Sequence, residues 1–172
     1  MKPMRKNKKG LDIFNTPTKA VDVILKYIPK NKVIWECTNG DGAISKYLEE
    51  KGYTVIKTDI RSDKCDFGGL DFLKNLQPPK HYDIILTNPP YSYKTQFLER
   101  AYKIGKPFYF LLPITTLEGM ARSVLFRKYG INTVILDRRV NYIKGKSVQF
   151  NSSWFFGNHK IHSNRMFFEK YE

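Results

Sequence analysis

Acidic residues are scarce in this chain: sixteen Asp and Glu stand against thirty Lys and Arg, for a net charge of +14 and an isoelectric point of about 9.7. Cysteine is scarcer still. Cys37 and Cys65 make neither a disulfide framework nor a zinc cluster, so no metal is expected and a reducing cytoplasm is the default compartment. No stretch approaches the roughly 18 uninterrupted apolar residues of a membrane span. The basic N-terminus lacks the apolar run and small-residue cleavage site of a secretory signal. There is no internal repeat and no long low-complexity tract.

The 172 residues suit one globular domain. A composition 41% hydrophobic and 15% aromatic is enough for a real core. The basic excess points to a polyanionic partner, because neutralising phosphates releases counterions. A competing explanation is a coding sequence rich in A and T, which yields the same bias toward Lys, Asn, Ile, Tyr and Phe. Residues 1–13, with Lys2, Arg5, Lys6, Lys8 and Lys9, read as a flexible basic tail, and residues 14–172 as the folded domain.

Order is expected from Phe14. Thr16 suits a helix N-cap and Pro17 the first helical position. Val21, Ile24, Leu25 and Ile28 follow at helical spacing up to Pro29. Val33-Ile34-Trp35 reads as a buried strand ending at Glu36, before the turn Cys37-Thr38-Asn39-Gly40-Asp41-Gly42. A helix with Ile44, Tyr47 and Leu48 closes at Gly52, and Thr54–Thr58 is a strand ending at Asp59. Beyond a polar stretch containing Asp71-Phe72, the strand Tyr82–Thr87 runs into Asn88-Pro89-Pro90-Tyr91. The spacing then predicts a helix over 94–104 and a strand over Phe108–Leu112. It next predicts a helix faced by Leu117, Met120, Ala121, Val124 and Leu125, and a strand over Thr133–Leu136. A hairpin of Ser153–Phe156 with Arg165–Phe168 would end the chain. Alternating strands and helices predict an α/β fold with a mostly parallel sheet, whose ligands bind beyond the carboxyl ends of the strands. Glu36, Asp59 and Asn88 should therefore share one rim.

Each of these features has an ordinary structural explanation. Gly40 and Gly42 let backbone approach a ligand, although Gly-Asp-Gly also occurs in plain turns and is not a dinucleotide fingerprint or P-loop. Asp59 is placed to accept from ribose hydroxyls, or is a solvated strand-end carboxylate. Asn88-Pro89-Pro90-Tyr91 is either a turn or a site that grips an exocyclic amine. Such an amine is a poor nucleophile because its lone pair is delocalised into the ring. Two acceptors, the Asn88 side-chain oxygen and the Pro89 carbonyl on a rigid two-proline backbone, would orient both N–H bonds and localise the lone pair. Tyr91 offers a flat face to the base. Catalysis would then rest on positioning and polarisation.

The tetrapeptide at the end of an Asp-Ile-Ile-Leu strand resembles motif IV of the amino-methyltransferases, above all the DNA N6-adenine enzymes of small phage or orphan type. The resemblance runs roughly from Phe14 to Phe168. It implies a Rossmann-like class I methyltransferase fold of seven strands with the last antiparallel. It also implies S-adenosyl-L-methionine as methyl donor and the cytoplasm of a bacterial or phage-infected cell. By this resemblance Phe14, Thr16 and Pro17 hold the methionine end of the cofactor. Glu36, Thr38, Gly40 and Gly42 form motif I, Asp59 takes the ribose, and Ile60 and Asp71-Phe72 flank the adenine, with Asn88 also at the cofactor. Phe150, in Phe150-Asn151-Ser152-Ser153-Trp154, packs on the extruded target base beside Tyr91 or is a core aromatic at a strand start; extrusion is required because the amine is unreachable inside a duplex. Motif I departs from the family in placing Asp41 between its glycines. No separate target-recognition domain is expected, so a partner protein is a candidate source of specificity.

The reading implied is transfer of a methyl group to the N6 amine of adenine in DNA. Alternatives are a base amine in RNA, the side-chain amide of a protein glutamine, or a catalytically silent nucleic-acid-binding module on the same fold.

Overall fold

The computed structural model describes residues 16–61, 65–74, 80–142, 151–158 and 164–171. The expectations for the 1–13 tail, Phe14 and Phe150 lie outside these residues. In chain order the elements are α1 (Thr18–Leu25), β1 (Val33–Glu36), α2 (Ala43–Glu50), β2 (Thr54–Asp59), β3 (Phe67–Gly68), β4 (Ile84–Thr87), α3 (Lys94–Ile104), β5 (Phe108–Pro113), α4 (Met120–Tyr129), β6 (Asn132–Leu136), β7 (Ser152–Gly157) and β8 (Met166–Glu169).

The strands form one sheet in the order β3-β2-β1-β4-β5-β7-β6-β8. Pairing is parallel from β3 through β5, with Ile34 opposite both Val55 and Ile84 and Ile85 opposite Phe108. β7 runs antiparallel to β5 and β6. The seven strands implied by the resemblance are therefore present, with β7 as the antiparallel one. The expected terminal hairpin is not formed: β8 pairs in parallel with β6, so β7 and β8 flank β6 from opposite sides. β3, only two residues long, has no apolar run to announce it.

Successive residues of each strand point to opposite faces, and that alternation divides the core. Ile34, Val55, Ile84, Leu86, Tyr109, Leu111, Trp154 and Phe156 pack with α1 and α2. Trp35, Ile56, Ile85, Phe108, Phe110, Leu112 and Phe155 pack with α3 and α4. On α1 the residues Ala20, Val21 and Ile24 form the buried stripe, and the Trp154 indole donates to the Ala20 carbonyl at 2.7 Å. Helix α3 buries Phe97, Leu98 and Ala101 and stops at Gly105, whose φ of 79° places it in the left-handed conformation.

Two helix expectations require correction. Pro17, with φ −61° and ψ 138°, is the N-cap of α1, and the Thr16 hydroxyl is engaged elsewhere. Of the residues expected to face the core here, Leu117, Met120, Ala121 and Val124 are exposed, Met120 to 86%; Leu125 is partly buried against the core, and Phe126 is the buried residue of α4. A short 3-10 turn over Ile114–Leu117 and an extended Glu118 precede this helix. They restart its phase at Met120 and turn all of the anticipated stripe but Leu125 outward.

Candidate functional site

Parallel pairing brings the carboxyl ends of β1, β2 and β4 to one edge of the sheet, and with them Glu36, Asp59 and Asn88, as expected. A cleft of about 340 Å³ opens there, lined among others by Thr38, Gly40, Asp59, Ile60, Asp71, Phe72, Asn88 and Pro90. Thr16, Pro17, Glu36, Gly42, Pro89 and Tyr91 lie outside that lining.

Asn88 is the best-defined member. Its Nδ2 donates to Thr16 Oγ1 at 2.9 Å. Its Oδ1 is buried and has no hydrogen-bond partner among the described residues. A buried amide oxygen without a donor is costly, so its natural complement is an N–H from a ligand. The Pro89 carbonyl beside it also accepts no hydrogen bond from a described residue. Asn88 and Pro89 thus carry two acceptors on adjacent residues, as many as the two N–H bonds of a primary amine.

Glu36 lies at the end of β1 and is 1% exposed. Its Oε1 accepts the Thr38 N–H at 3.0 Å, while Oε2 is buried without a partner among the described residues. Burial pushes its pKa up to about 8, and the nearby Asp59 charge works in the same direction. A cationic group entering here would gain a carboxylate already stripped of water.

Asp59 is held differently. Its Oδ2 accepts the Gly40 N–H at 2.9 Å, and its Oδ1 accepts the Arg61 N–H at 2.9 Å and Nε at 3.0 Å. Burial works to raise its pKa, but the Arg61 and Gly40 hydrogen bonds outweigh burial and hold it below the ordinary carboxylate value. The turn that brings Gly40 to this carboxylate needs positive φ at Gly40 (58°) and at Gly42 (80°), which caps α2. The side chains of Thr38 and Thr87 are hydrogen-bonded to each other beside Asn88.

Across the cleft, Ile60 is 58% exposed and forms part of the lining. Asp71 Oδ1 accepts the Leu73 N–H at 2.9 Å and so caps the short turn Phe72–Lys74. Phe72 stacks on Phe97 with centroids 4.9 Å apart and 14° between planes.

Tyr91 is 8% exposed. Its hydroxyl meets that of Tyr142 at 2.8 Å and Ser152 Oγ at 3.2 Å, and Tyr142 donates to Ser152 at 2.8 Å. This buried cluster clamps the ring. Tyr93 lines the cleft in its place.

Arg61, Thr87, Tyr93, Tyr142 and Ser152 were all missed from the sequence. Thr87 and Tyr93 could have been flagged by their closeness to Asn88. Nothing local marks Tyr142, and Ser152 stands in the Phe150–Trp154 motif with no role of its own there; both reach the site through the fold. Among the described residues no His, Cys, Asp and Glu group could hold a metal, and no helix is long and apolar enough to cross a membrane.

No protein-family model and no curated sequence matches the chain. Solved structures share its fold. The 23S rRNA methyltransferase ErmE superposes with a TM-score of 0.60 at 12% identity, covering 83% of this chain and 68% of its own. A dimethyladenosine transferase from Plasmodium falciparum superposes at 0.57 and 12%, covering 84% and 62%. A modification subunit assigned to a type I restriction enzyme from Vibrio vulnificus superposes at 0.55 and 12%, covering 97% of this chain and 48% of that subunit. At such identities the likeness is one of fold alone: a Rossmann-like, mostly parallel sheet with helices on both faces, which these methyltransferases share.

Proposed function

We propose that this protein is an S-adenosyl-L-methionine-dependent methyltransferase that acts on the exocyclic N6 amine of adenine in DNA. The observation that carries this reading is the orphaned Asn88 Oδ1, buried at the strand-end rim beside the Pro89 carbonyl.

The residues present fit the cofactor. The unpartnered Glu36 Oε2 suits the methionine ammonium, and Thr16, hydrogen-bonded to Asn88, and Pro17 are assigned to the same end of the cofactor by the motif they resemble. Thr38, Gly40 and Gly42 form the turn against which the cofactor lies, and Asp59, fixed by Gly40 and Arg61, presents a carboxylate to ribose hydroxyls. Ile60 and the Asp71-Phe72 pair bracket the space for an adenine. When bound, the cofactor supplies a methyl group activated by sulfonium.

The chain's own residues do the rest by placement. Asn88 Oδ1 and the Pro89 carbonyl accept the two N–H bonds of the acceptor amine and localise its lone pair. Pro90 keeps that backbone rigid. Tyr91, held in a buried cluster by Tyr142 and Ser152, anchors the tetrapeptide, while Tyr93 at the cleft offers a ring to an extruded base, with Phe150 as the second aromatic. With the donor held at this site, the amine nitrogen would take its methyl group and leave the thioether behind, and the spare proton of the amine would pass to water. The methylated, still-protonated amine is a strong acid, so no general base is required.

RNA is the second reading, favoured by the fold shared with the 23S rRNA enzyme. Incubation with methyl-labelled S-adenosyl-L-methionine and, separately, duplex DNA, RNA and a glutamine peptide decides between acceptors. Label recovered as N6-methyladenine from DNA supports the proposal, and label only in RNA or peptide overturns it.

A further inference from the structure

The basic excess is not spread over the molecule. Among the described residues, those of 16–93 include ten Lys and Arg against nine Asp and Glu, whereas those of 94–171 include eleven against four. The sheet order converts this division of the sequence into a division in space. The first segment builds β3, β2, β1 and β4 with α1 and α2, and the second builds β5, β7, β6 and β8 with α3 and α4. One half of the molecule, containing Glu36, Asp59 and Asp71, is nearly neutral, and the other is strongly positive.

Pairing reinforces the contrast. In the first half Lys32 meets Asp83 at 3.8 Å, Lys51 meets Asp22 at 3.6 Å, Lys57 meets Glu49 at 2.8 Å and Arg61 meets Asp59 at 3.0 Å. In the second half Arg138 and Arg139 follow β6 at the same edge as Asn88, and both are exposed. Arg138 has no hydrogen bond or ion pair among the described residues. Arg139 Nε donates to Asn151 Oδ1 at 3.1 Å, next to the Ser152 that holds Tyr91. Lys94, at the start of α3, donates to the Tyr91 carbonyl at 3.2 Å. Arg122 donates to the Thr116 carbonyl at 2.8 Å and to Thr95 Oγ1 at 2.9 Å. The acids at this edge are few: Glu118 is exposed, and Asp137 Oδ1 already accepts the Tyr171 N–H at 2.9 Å.

We propose that the β5–β7–β6 half of the catalytic rim, led by Arg138 and Arg139, is the surface that receives the phosphodiester backbone of duplex DNA. Two positive side chains on adjacent residues, beside the clamped Tyr91, hold the phosphates flanking the base presented to Asn88. The neutral half keeps the backbone from lying across the cofactor cleft. Long-range attraction to the positive half orients the encounter before any base is read. The choice of DNA as occupant rests on the function proposed above; the location of the surface rests on the charge division and the sheet order.

The test is equilibrium binding of a short fluorescein-labelled DNA duplex, read by anisotropy across about 50 to 200 mM salt, without cofactor or turnover. Each phosphate contact contributes about 0.9 to the slope of log K against log salt. Arg138→Ala should lower that slope by about 1, and Arg138→Ala with Arg139→Ala by about 2. Arg127→Ala with Lys128→Ala, in the same positive half but at the opposite edge of the sheet, should leave it unchanged. Equal slopes for wild type and the Arg138 variants overturn the proposal, as does a loss that follows Arg127 and Lys128. Binding to an RNA hairpin but not to the duplex overturns the DNA assignment. Binding that behaves as expected in a protein unable to transfer a methyl group sinks the enzymatic reading and leaves the surface standing.

Discussion

Asn88 Nδ2 donates to Thr16 Oγ1 across 2.9 Å, and 72 residues of sequence separate the two. In this arrangement the nitrogen end of the Asn88 amide faces the protein. With the nitrogen committed to Thr16, the oxygen is left as the acceptor. Thr16→Val should therefore lower the methyl-transfer rate by up to about tenfold, since a hydrogen bond of this kind is worth about 1 kcal/mol. Thr16→Ser should restore it. Single-turnover kinetics on both variants is the check, and a Val variant as fast as wild type would remove Thr16 from the positioning of Asn88.

Glu36 carries a pH signature. Its pKa lies at about 8 in the folded protein against an ordinary 4.5, so the folded state keeps a proton that the unfolded chain has released. The contribution of this group to stability is fully present below about pH 4.5 and declines as the pH rises toward 8. Glu36→Gln, which does not titrate, should flatten that part of the pH dependence of the urea midpoint. Cofactor binding near pH 7 should release a proton, because an ammonium favours the ionised carboxylate. Calorimetry in two buffers of different ionisation enthalpy measures it, and a binding heat independent of buffer would contradict the assignment.

The hydroxyl cluster of Tyr91, Tyr142 and Ser152 predicts a split between rate and cofactor affinity. Tyr142→Phe removes one hydroxyl and keeps the ring. It should reduce turnover several-fold, raise KM for the nucleic acid and leave the cofactor Kd unchanged. Ser152→Ala should act in the same direction, and the double variant should cost less than the sum of the two, as expected for one coupled network. Unchanged kinetics in all three would make the cluster purely structural.

Gly157 on β7 lies against aromatic rings, and a Cβ there would come within 2.9 Å of the Phe108 ring and 3.3 Å of Tyr102. Phe108 is fully buried and packs edge-on against Tyr102 at 5.1 Å, so neither ring can easily yield. Gly157→Ala should destabilise the protein by about 1–3 kcal/mol, measured by urea unfolding.

Much of this arrangement was legible in the sequence. Strand positions followed from apolar runs such as Ile84-Ile85-Leu86, and parallel pairing then forced Glu36, Asp59 and Asn88 onto one edge. The failures share a cause, which is that tertiary contacts chose between local options. Thr16 was a good cap by local rules, but Asn88 offered its hydroxyl another partner. The stripe through Leu117, Met120 and Val124 had helical spacing, but the turn before α4 and the docking of Phe126 set the rotation. Strand β8 had the alternation of a hairpin arm, but the open side of β6 took it. Arg61 was invisible as a partner of Asp59 because nothing in Asp59-Ile60-Arg61 says that the chain folds back on itself there.

The most direct test of the account is a pair of measurements on Asn88→Ala: the single-turnover rate of methyl transfer at saturating cofactor, and the cofactor Kd. If Asn88 Oδ1 polarises the acceptor amine, the rate should fall by about 10²–10³-fold or more while the Kd stays within a few-fold of wild type. A rate restored at saturating cofactor together with a large rise in Kd would place Asn88 in the cofactor site and contradict its role at the amine.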